Sequence, residues 1–310
     1  MNYIKIFAPA TVANVSCGFD SMGFAVDTIG DEMTFTKTVE KGVKITQITG
    51  AKGLSLNPKE NAAGVVTLAM LKEHSVDFGI EITMHKGYSP GSGLGSSAAS
   101  SGGAAFGVNE LLGKPFSSLE LTKFAMLGEK AACGTPIADN VTAAIFGGFV
   151  LIRSYEPLDI IKLPVPNELQ LVAIHPQIEV KTKDARDVLP QKISLKDATT
   201  QWANVGGLVS GLYTSNYQVI ANSLTDVIVE PARKHLIPHF DLVKNEAIKA
   251  GALGAGISGS GPTIFALCKG EKTANNVYEA IQNAYSDKNI DFNLFTSKIN
   301  TQGVKILETK

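Results

Sequence analysis

The residues best suited to chemistry lie in one run, Ser89-Pro90-Gly91-Ser92-Gly93-Leu94-Gly95-Ser96-Ser97-Ala98-Ala99-Ser100. Glycines at 91, 93 and 95 let successive backbone N–H groups turn toward a ligand, and the hydroxyls that follow can cap a helix or reach a phosphate or a metal. The run sits between an alternating segment, Ile80-Glu81-Ile82-Thr83-Met84, and a stretch of small residues that reads as a helix. A strand feeding a glycine bend that opens a helix is what an anion site needs, because the helix N-terminus adds unpaired donors and partial positive charge. Four readings compete. A Walker A loop requires Gly-Lys followed by Ser or Thr, and no lysine follows these glycines. A dinucleotide fingerprint wants a different glycine spacing and an acid at the end of a second strand, whereas the nearest acid, Glu110, lies inside the helical stretch. The third is a phosphate loop that works without lysine, leaving Mg²⁺ and the helix dipole to balance the charge. The fourth is a plain strand-to-helix turn with no ligand.

Positioning such a loop takes a scaffold. Short segments rich in β-branched and aromatic residues predict strands over 3–8, 23–29, 32–39, 43–49, 80–84 and 149–153. Apolar residues at helical spacing predict helices over 61–74, 96–112 and 119–132. Prolines at 157, 164 and 166 punctuate the middle of the chain and place a domain boundary between 156 and 157. Beyond it the pattern predicts a strand over 169–175, helices over 194–213 and 240–250, and strands over 252–257 and 263–268 around a glycine turn. A helix over 273–284 and a strand over 303–307 follow. Strands and helices interleave in both halves (1–156 and 157–310), and the hairpin-like early strands favour α+β.

Composition narrows the function classes. Of 310 residues 44% are hydrophobic and 18% charged, enough apolar material for a sizeable core. The 28 basic and 29 acidic residues leave a net charge of −1, so no basic excess marks a nucleic-acid or membrane-surface binder. Cys17, Cys133 and Cys268 are too scattered for a disulfide framework or a CxxC metal site and suit a reducing compartment. Neither a signal peptide nor an apolar run long enough for a membrane span is readable, and the expectation is a cytoplasmic protein with no membrane partner.

Three segments in order carry a family resemblance. Pro90-Gly-Ser-Gly-Leu-Gly-Ser-Ser-Ala resembles the second motif of the GHMP small-molecule kinases. Ala8-Pro9-Ala10-Thr11-Val12-Ala13-Asn14 resembles the first, and Gly256-Ile257-Ser258-Gly259-Ser260-Gly261-Pro262-Thr263 the third. Within the family the chain looks most similar to the homoserine kinase branch, through Asn14 to Asp20, Ala138-Asp139-Asn140-Val141, Phe146-Gly147-Gly148, Thr182 to Arg186 with Leu189-Pro190, and Glu230-Pro231-Ala232-Arg233. The resemblance implies two domains, an N-terminal one like the second domain of ribosomal protein S5 and a ferredoxin-like C-terminal one, with nucleotide and substrate between them. It implies transfer of the ATP γ-phosphoryl group to the hydroxyl of L-homoserine. Dimers are common in the family, so a homodimer is an open expectation.

Site residues follow from the same resemblance. Ser97 and Glu129 would hold Mg²⁺, being hard oxygen donors suited to that ion. The nucleotide would meet residues Pro90 to Ser100, with the Asn61 amide at the adenine edge and Lys86 nearby; the plain alternatives are a helix N-cap for Asn61 and an exposed lysine. Arg186 and Arg233 would clamp the substrate carboxylate, since a guanidinium presents a planar fork. Asp20 would take the ammonium, with Asn14 and Thr182 as neutral neighbours. Asn140 stands where some relatives have an aspartate base, and an amide cannot accept the proton, so positioning and electrostatics carry the reaction; Asp139 as base is the competing reading. Ile137 stands where many homoserine kinases have histidine. Cys17 reads as a packing residue, His175 and His239 as structural, and the third motif as packing beneath the other two loops. Two other readings remain: a kinase or decarboxylase of the same family acting on a different alcohol, and a non-catalytic regulator on the same fold.

Overall fold

The computed structural model describes residues 1–310. Its first sheet collects β1 (Tyr3–Ala13), β2 (Met22–Thr38), β3 (Gly42–Thr49), β4 (Gly79–His85) and the hairpin β5 (Phe149–Tyr155) with β6 (Leu158–Leu163). Helix α1 (Ala62–His74) joins β3 to β4, which pair in parallel, as a helical crossover allows. Helices α2 (Ser96–Leu111), α3 (Ser118–Cys133) and α4 (Asp139–Phe146) follow β4. Most of α2 is buried, which its small residues permit. A Cβ on Gly103 would fall 2.6 Å from Met33 Sδ, and one on Gly107 would fall 2.6 Å from the Phe35 ring, so helix and sheet approach only because both are glycine.

The expected strands 23–29 and 32–39 are one 17-residue strand. Gly30, between them, is no break: its missing side chain leaves room for the Ala8 carbonyl and the Phe7 ring, each of which a Cβ would meet at 2.4 Å. The boundary expected between 156 and 157 falls at the tip of the β5–β6 hairpin, whose strands both belong to the first sheet. Passage to the second sheet comes after Leu163.

That second sheet holds β7 (Leu169–Pro176), β8 (Gly254–Ile257), β9 (Ile264–Lys269) and β10 (Phe292–Lys298) in the order β10-β7-β9-β8, all antiparallel. With α9 (Phe240–Lys249) after β7 and α10 (Glu271–Tyr285) after β9, the order is βαββαβ, the ferredoxin-like arrangement. Between β7 and α9 the chain inserts α5 (Thr182–Asp187), α6 (Leu195–Thr214), α7 (Tyr217–Ser223), α8 (Val229–Arg233) and a 3₁₀ turn at Lys234–Leu236. The last strand, β11 (Lys305–Thr309), returns to pair with β1 at the edge of the first sheet.

One core joins the two sheets. Leu169, Leu171 and Ala173 of β7, with Phe265 and Leu267 of β9, pack into the core of the first sheet. The alternate residues Val172, Ile174, Ile264, Ala266 and Cys268 pack against α9 and α10. Period-two alternation therefore buries both faces of these strands. Phe24 from β2 meets Phe265 edge-on at 6.2 Å across the junction. This packing joins the two halves on one side of the cleft between them. No helix is long and apolar enough to cross a membrane.

Candidate active site

The three motif segments meet at one cavity of about 820 Å³ between the halves. Gly91, Gly93 and Gly95 all adopt left-handed backbone (φ 75°, 81° and 68°), which is why the bend needs glycine. Gly95 caps α2 without a side chain, and the first intrahelical bond runs from Ala99 N–H to the Gly95 carbonyl at 2.9 Å. The N–H groups of Ser96, Ser97 and Ala98 precede that ladder and are free to bind an anion.

The third motif supports the bend from below, as expected. Ser258 Oγ donates to the Gly93 carbonyl at 2.6 Å and Thr263 Oγ1 to the Ser92 carbonyl at 2.6 Å. A Cβ on Gly93 would lie 2.6 Å from the Ser258 carbonyl oxygen and 2.7 Å from that of Gly261. Gly259 and Ser260 also line the cavity. The first motif contributes Thr11, whose amide donates to the Leu94 carbonyl at 2.9 Å and whose hydroxyl donates to Asn140 Oδ1 at 2.7 Å.

Lys86 stands beside the bend and lines the cavity, and it is buried rather than the exposed lysine of the plain alternative. Its ammonium donates to the Asp31 carboxylate, to the Ser96 carbonyl at 2.8 Å and to Ser100 Oγ at 2.9 Å, which uses all three protons. Asp31 also accepts from Gly87 N–H at 3.2 Å. This buried pair pins the start of α2 to β2. Burial pulls Lys86 down from its ordinary value and pushes Asp31 up, while each charge opposes the other's shift. Asn61 is the N-cap of α1: its Oδ1 accepts from Ala63 N–H at 3.0 Å and its Nδ2 donates to the Ser55 carbonyl at 2.9 Å. The capping alternative describes those contacts, which leave Asn61 one amide proton and one oxygen lone pair for a ligand in the cavity it lines.

Glu129, on α3, is buried in the cavity wall, and its Oε1 finds no hydrogen-bond partner. Burial pushes its carboxyl up to about 7, against a lowering by Ser97. Asp139, the first residue of α4, is likewise pushed up to about 7, first by burial and then by Asp20. Its Oδ1 accepts from Asn140 N–H at 2.7 Å and from Asn140 Nδ2 at 3.2 Å. The Asn140 amide is thus oriented from both ends, by Asp139 and by Thr11.

The same cavity is lined by Arg186 on α5 and Arg233 at the end of α8. Arg233 donates through Nε to the Ala185 carbonyl at 2.7 Å and through Nη1 to the Gly259 carbonyl at 3.1 Å. Burial, and after it Arg186, pull Arg233 down to about 10, so it stays charged at neutral pH. Arg186 Nη2 donates to both oxygens of Asp20, at 2.9 and 3.0 Å. Asp20, expected to meet an ammonium, is therefore paired with the neighbouring guanidinium, and Thr182 lines the same wall. Asn14 is a brace: its Nδ2 donates to the Gly259 carbonyl at 2.8 Å and its Oδ1 accepts from Asp20 N–H at 3.1 Å. It opens a left-handed stretch of three non-glycine residues, Asn14, Val15 and Ser16 (φ 70°, 42° and 58°). For a β-branched valine this is strained backbone of the kind found at ligand sites.

Two supporting residues escaped the sequence reading. Asp226 accepts from the N–H groups of Ile228, Val229 and Glu230, each at 2.9 Å, and so sets the helix that carries Arg233. Gln201 Nε2 donates to Asp226 at 2.9 Å and to the Cys17 carbonyl at 3.0 Å, tying α6 to the Asn14 turn. An acid shortly before Glu230-Pro231 is a helix-start signal that could have revealed Asp226. Cys17 is buried with its thiol pushed up to about 12, the packing residue expected. His175 is buried beside Gln177, and His239 caps α9.

A cavity lined both by bare helix-terminal amides and by two guanidiniums suits a phosphate and a carboxylate held together. Family comparison agrees. The model of the GHMP kinases N terminal domain matches residues 61–148, and that of the GHMP kinases C terminal domain matches residues 208–287. The chain belongs to the GHMP kinase family. Within it the chain groups with the homoserine kinases. It is 47% identical to the homoserine kinase of Chlorobium phaeobacteroides over 99% of this chain and 100% of that one. The crystal structure of homoserine kinase from Cytophaga hutchinsonii superposes with a TM-score of 0.96 at 49% identity, covering 99% and 98% of the two chains. The mevalonate kinase of L. major, at 16% identity and TM-score 0.72 over 95% and 96% of the chains, shares the fold.

Proposed function

We infer that this enzyme transfers the γ-phosphoryl group of ATP to the side-chain hydroxyl of L-homoserine, giving O-phospho-L-homoserine and ADP for threonine biosynthesis. The observation that carries the reading is the single cavity that joins the amide-lined bend to the Arg186–Arg233 pair. In it the bend and the first turn of α2 bind the phosphates, and the two guanidiniums take the amino-acid carboxylate. Asp20 offers the ammonium its negative charge by exchanging part of its pairing with Arg186.

The donor set fits a divalent cation. Glu129 is buried with an unpartnered oxygen, and the Ser97 hydroxyl lines the same wall, so these two residues would hold Mg²⁺. When bound, the ion would offset the negative charge of the phosphates. Asn140, fixed by Thr11 and Asp139, orients the acceptor hydroxyl in line with the phosphorus. Phosphoryl transfer passes through a loose transition state, so alignment supplies much of the rate, and the hydroxyl proton leaves on a phosphate oxygen. The three unpaired cysteines suit a reducing compartment, and we place the enzyme in the cytoplasm.

A second reading makes Asp139 the base, favoured by its place in the cavity wall and a carboxyl near 7. Asp139→Asn and Asn140→Ala separate the two. Base-free transfer predicts that Asp139→Asn keeps turnover within about tenfold; a loss beyond about a hundredfold with both substrates still bound would make Asp139 the base. A coupled ADP-release assay with homoserine, mevalonate and galactose tests the function itself. Release with homoserine is expected, and release with another alcohol alone, or with none, would overturn it.

A further inference from the structure

We propose that Phe19 is a positioning residue: its ring is an aromatic plate, shared by Arg186 and Arg233, that holds the two guanidiniums in place for an amino-acid carboxylate. The proposal rests on the homoserine reading and assigns a new part of the same site.

The geometry is direct. The guanidinium carbon of Arg233 lies over the Phe19 ring, 5.0 Å from its centroid, and that of Arg186 lies over the same ring at 5.7 Å. Phe19 is half-buried and lines the cavity. The ring's position is set by backbone on both sides of it. Gly18 N–H donates to the Asn14 carbonyl at 2.8 Å, Asp20 N–H donates to the Asn14 side chain, and Asp20 itself is left-handed (φ 54°). The strained turn at 14–16 therefore ends by presenting one aromatic ring to two cations.

The chemistry explains why a face is needed. Two guanidiniums over one ring repel each other before a carboxylate arrives, and the charge of Arg186 acts on Arg233 in that sense. Asp20 offsets the charge of Arg186, and two carbonyls accept from Arg233. Arg186 Nε is buried with no hydrogen-bond partner. A ring quadrupole attracts both cations without consuming the N–H donors that the substrate must use, and guanidinium, being weakly hydrated, stacks well on aromatic faces. A carboxylate in place of the ring would neutralise the pair and compete with the substrate. An aliphatic side chain would fill the space and leave the repulsion.

The test replaces Phe19 with phenylalanine carrying one, two and three ring fluorines, alongside Phe19→Leu. Fluorine withdraws electron density from the ring face with little change of shape, so a packing role would not respond to it. The expected result is a stepwise rise in KM for homoserine, reaching about tenfold at three fluorines, with kcat and the KM for ATP within about twofold of the parent. Phe19→Leu should equal or exceed the trifluoro variant in KM. A KM for homoserine that stays flat across the fluorine series overturns the plate, whatever the leucine variant does. If the parent enzyme phosphorylates homoserine and the series is flat, the plate alone fails. If the parent does not phosphorylate homoserine, the functional reading fails and the plate falls with it.

Discussion

Replacing Lys86 with methionine keeps the length and apolar stem of the side chain and removes the charge. In the folded protein this strands the Asp31 carboxylate, a fully buried group, with only the Gly87 N–H for company. Breaking one side of a buried, hydrogen-bonded ion pair costs about 3–5 kcal/mol, against a total stability of about 5–15 kcal/mol for a typical domain. The Ser96 carbonyl and Ser100 hydroxyl also lose a donor at the start of α2. The penalty should depend on pH in a set direction. Burial already pushes Asp31 up, and without the ammonium it rises further above its unfolded value. A group whose folded pKa is raised favours the folded state at low pH and loses that contribution as pH rises through the folded pKa. The deficit of Lys86→Met relative to the parent should therefore shrink as pH is lowered from 8 toward 5. Urea unfolding across that range measures it, and Asp31→Asn/Lys86→Met should recover part of the loss because no charge is left orphaned. A Lys86→Met enzyme with stability within about 0.5 kcal/mol of the parent and a KM for ATP raised tenfold or more would refute the argument and make Lys86 a phosphate ligand.

Other outcomes follow from the same geometry. Gly93→Ala puts a Cβ against two carbonyl oxygens at a left-handed position; it should cost at least about 1–2 kcal/mol in thermal unfolding and weaken nucleotide binding measured by calorimetry. Arg233→Lys loses the fork that spans the Ala185 and Gly259 carbonyls, so KM for homoserine should rise about tenfold to a hundredfold while KM for ATP holds. Glu129 as the proposed Mg²⁺ ligand, with its carboxyl near 7, predicts competition between protons and the ion: the acid limb of kcat/KM for ATP should move to lower pH as Mg²⁺ is raised, and Glu129→Gln should abolish that movement. In the ligand-free enzyme, burial of this carboxyl favours folding at low pH and the benefit is lost as pH rises through about 7, so Glu129→Gln should gain stability relative to the parent at pH 8.

The parts of the molecule legible in the sequence were those that local chemistry dictates. Three glycines at alternate positions announced a left-handed bend, and the small residues after it announced a helix packed tightly on a sheet. Strands β7 and β9 were visible as short apolar runs because both their faces meet a core, whereas β10 was not anticipated. What stayed hidden depended on distant partners. Nothing near Lys86 points to Asp31, 55 residues earlier on β2, and nothing near Arg186 points to Asp20. Gly30 looked like a strand end because close approach by the Phe7 ring leaves no local trace. The short helices α4, α5, α7 and α8 offer too few turns for a periodic pattern, and their ends are set by long-range contacts such as Gln201 to Asp226. Prolines at 157, 164 and 166 suggested a boundary, but the first marks a hairpin tip.

The most direct trial of the account is a crystal structure with homoserine and a non-hydrolysable ATP analogue bound together. It should place phosphate oxygens within about 3 Å of the Ser96, Ser97 and Ala98 amides and the homoserine carboxylate between Arg186 and Arg233, its hydroxyl facing the terminal phosphate. Phosphates resting elsewhere in the cavity, or a carboxylate turned away from both arginines, would contradict it.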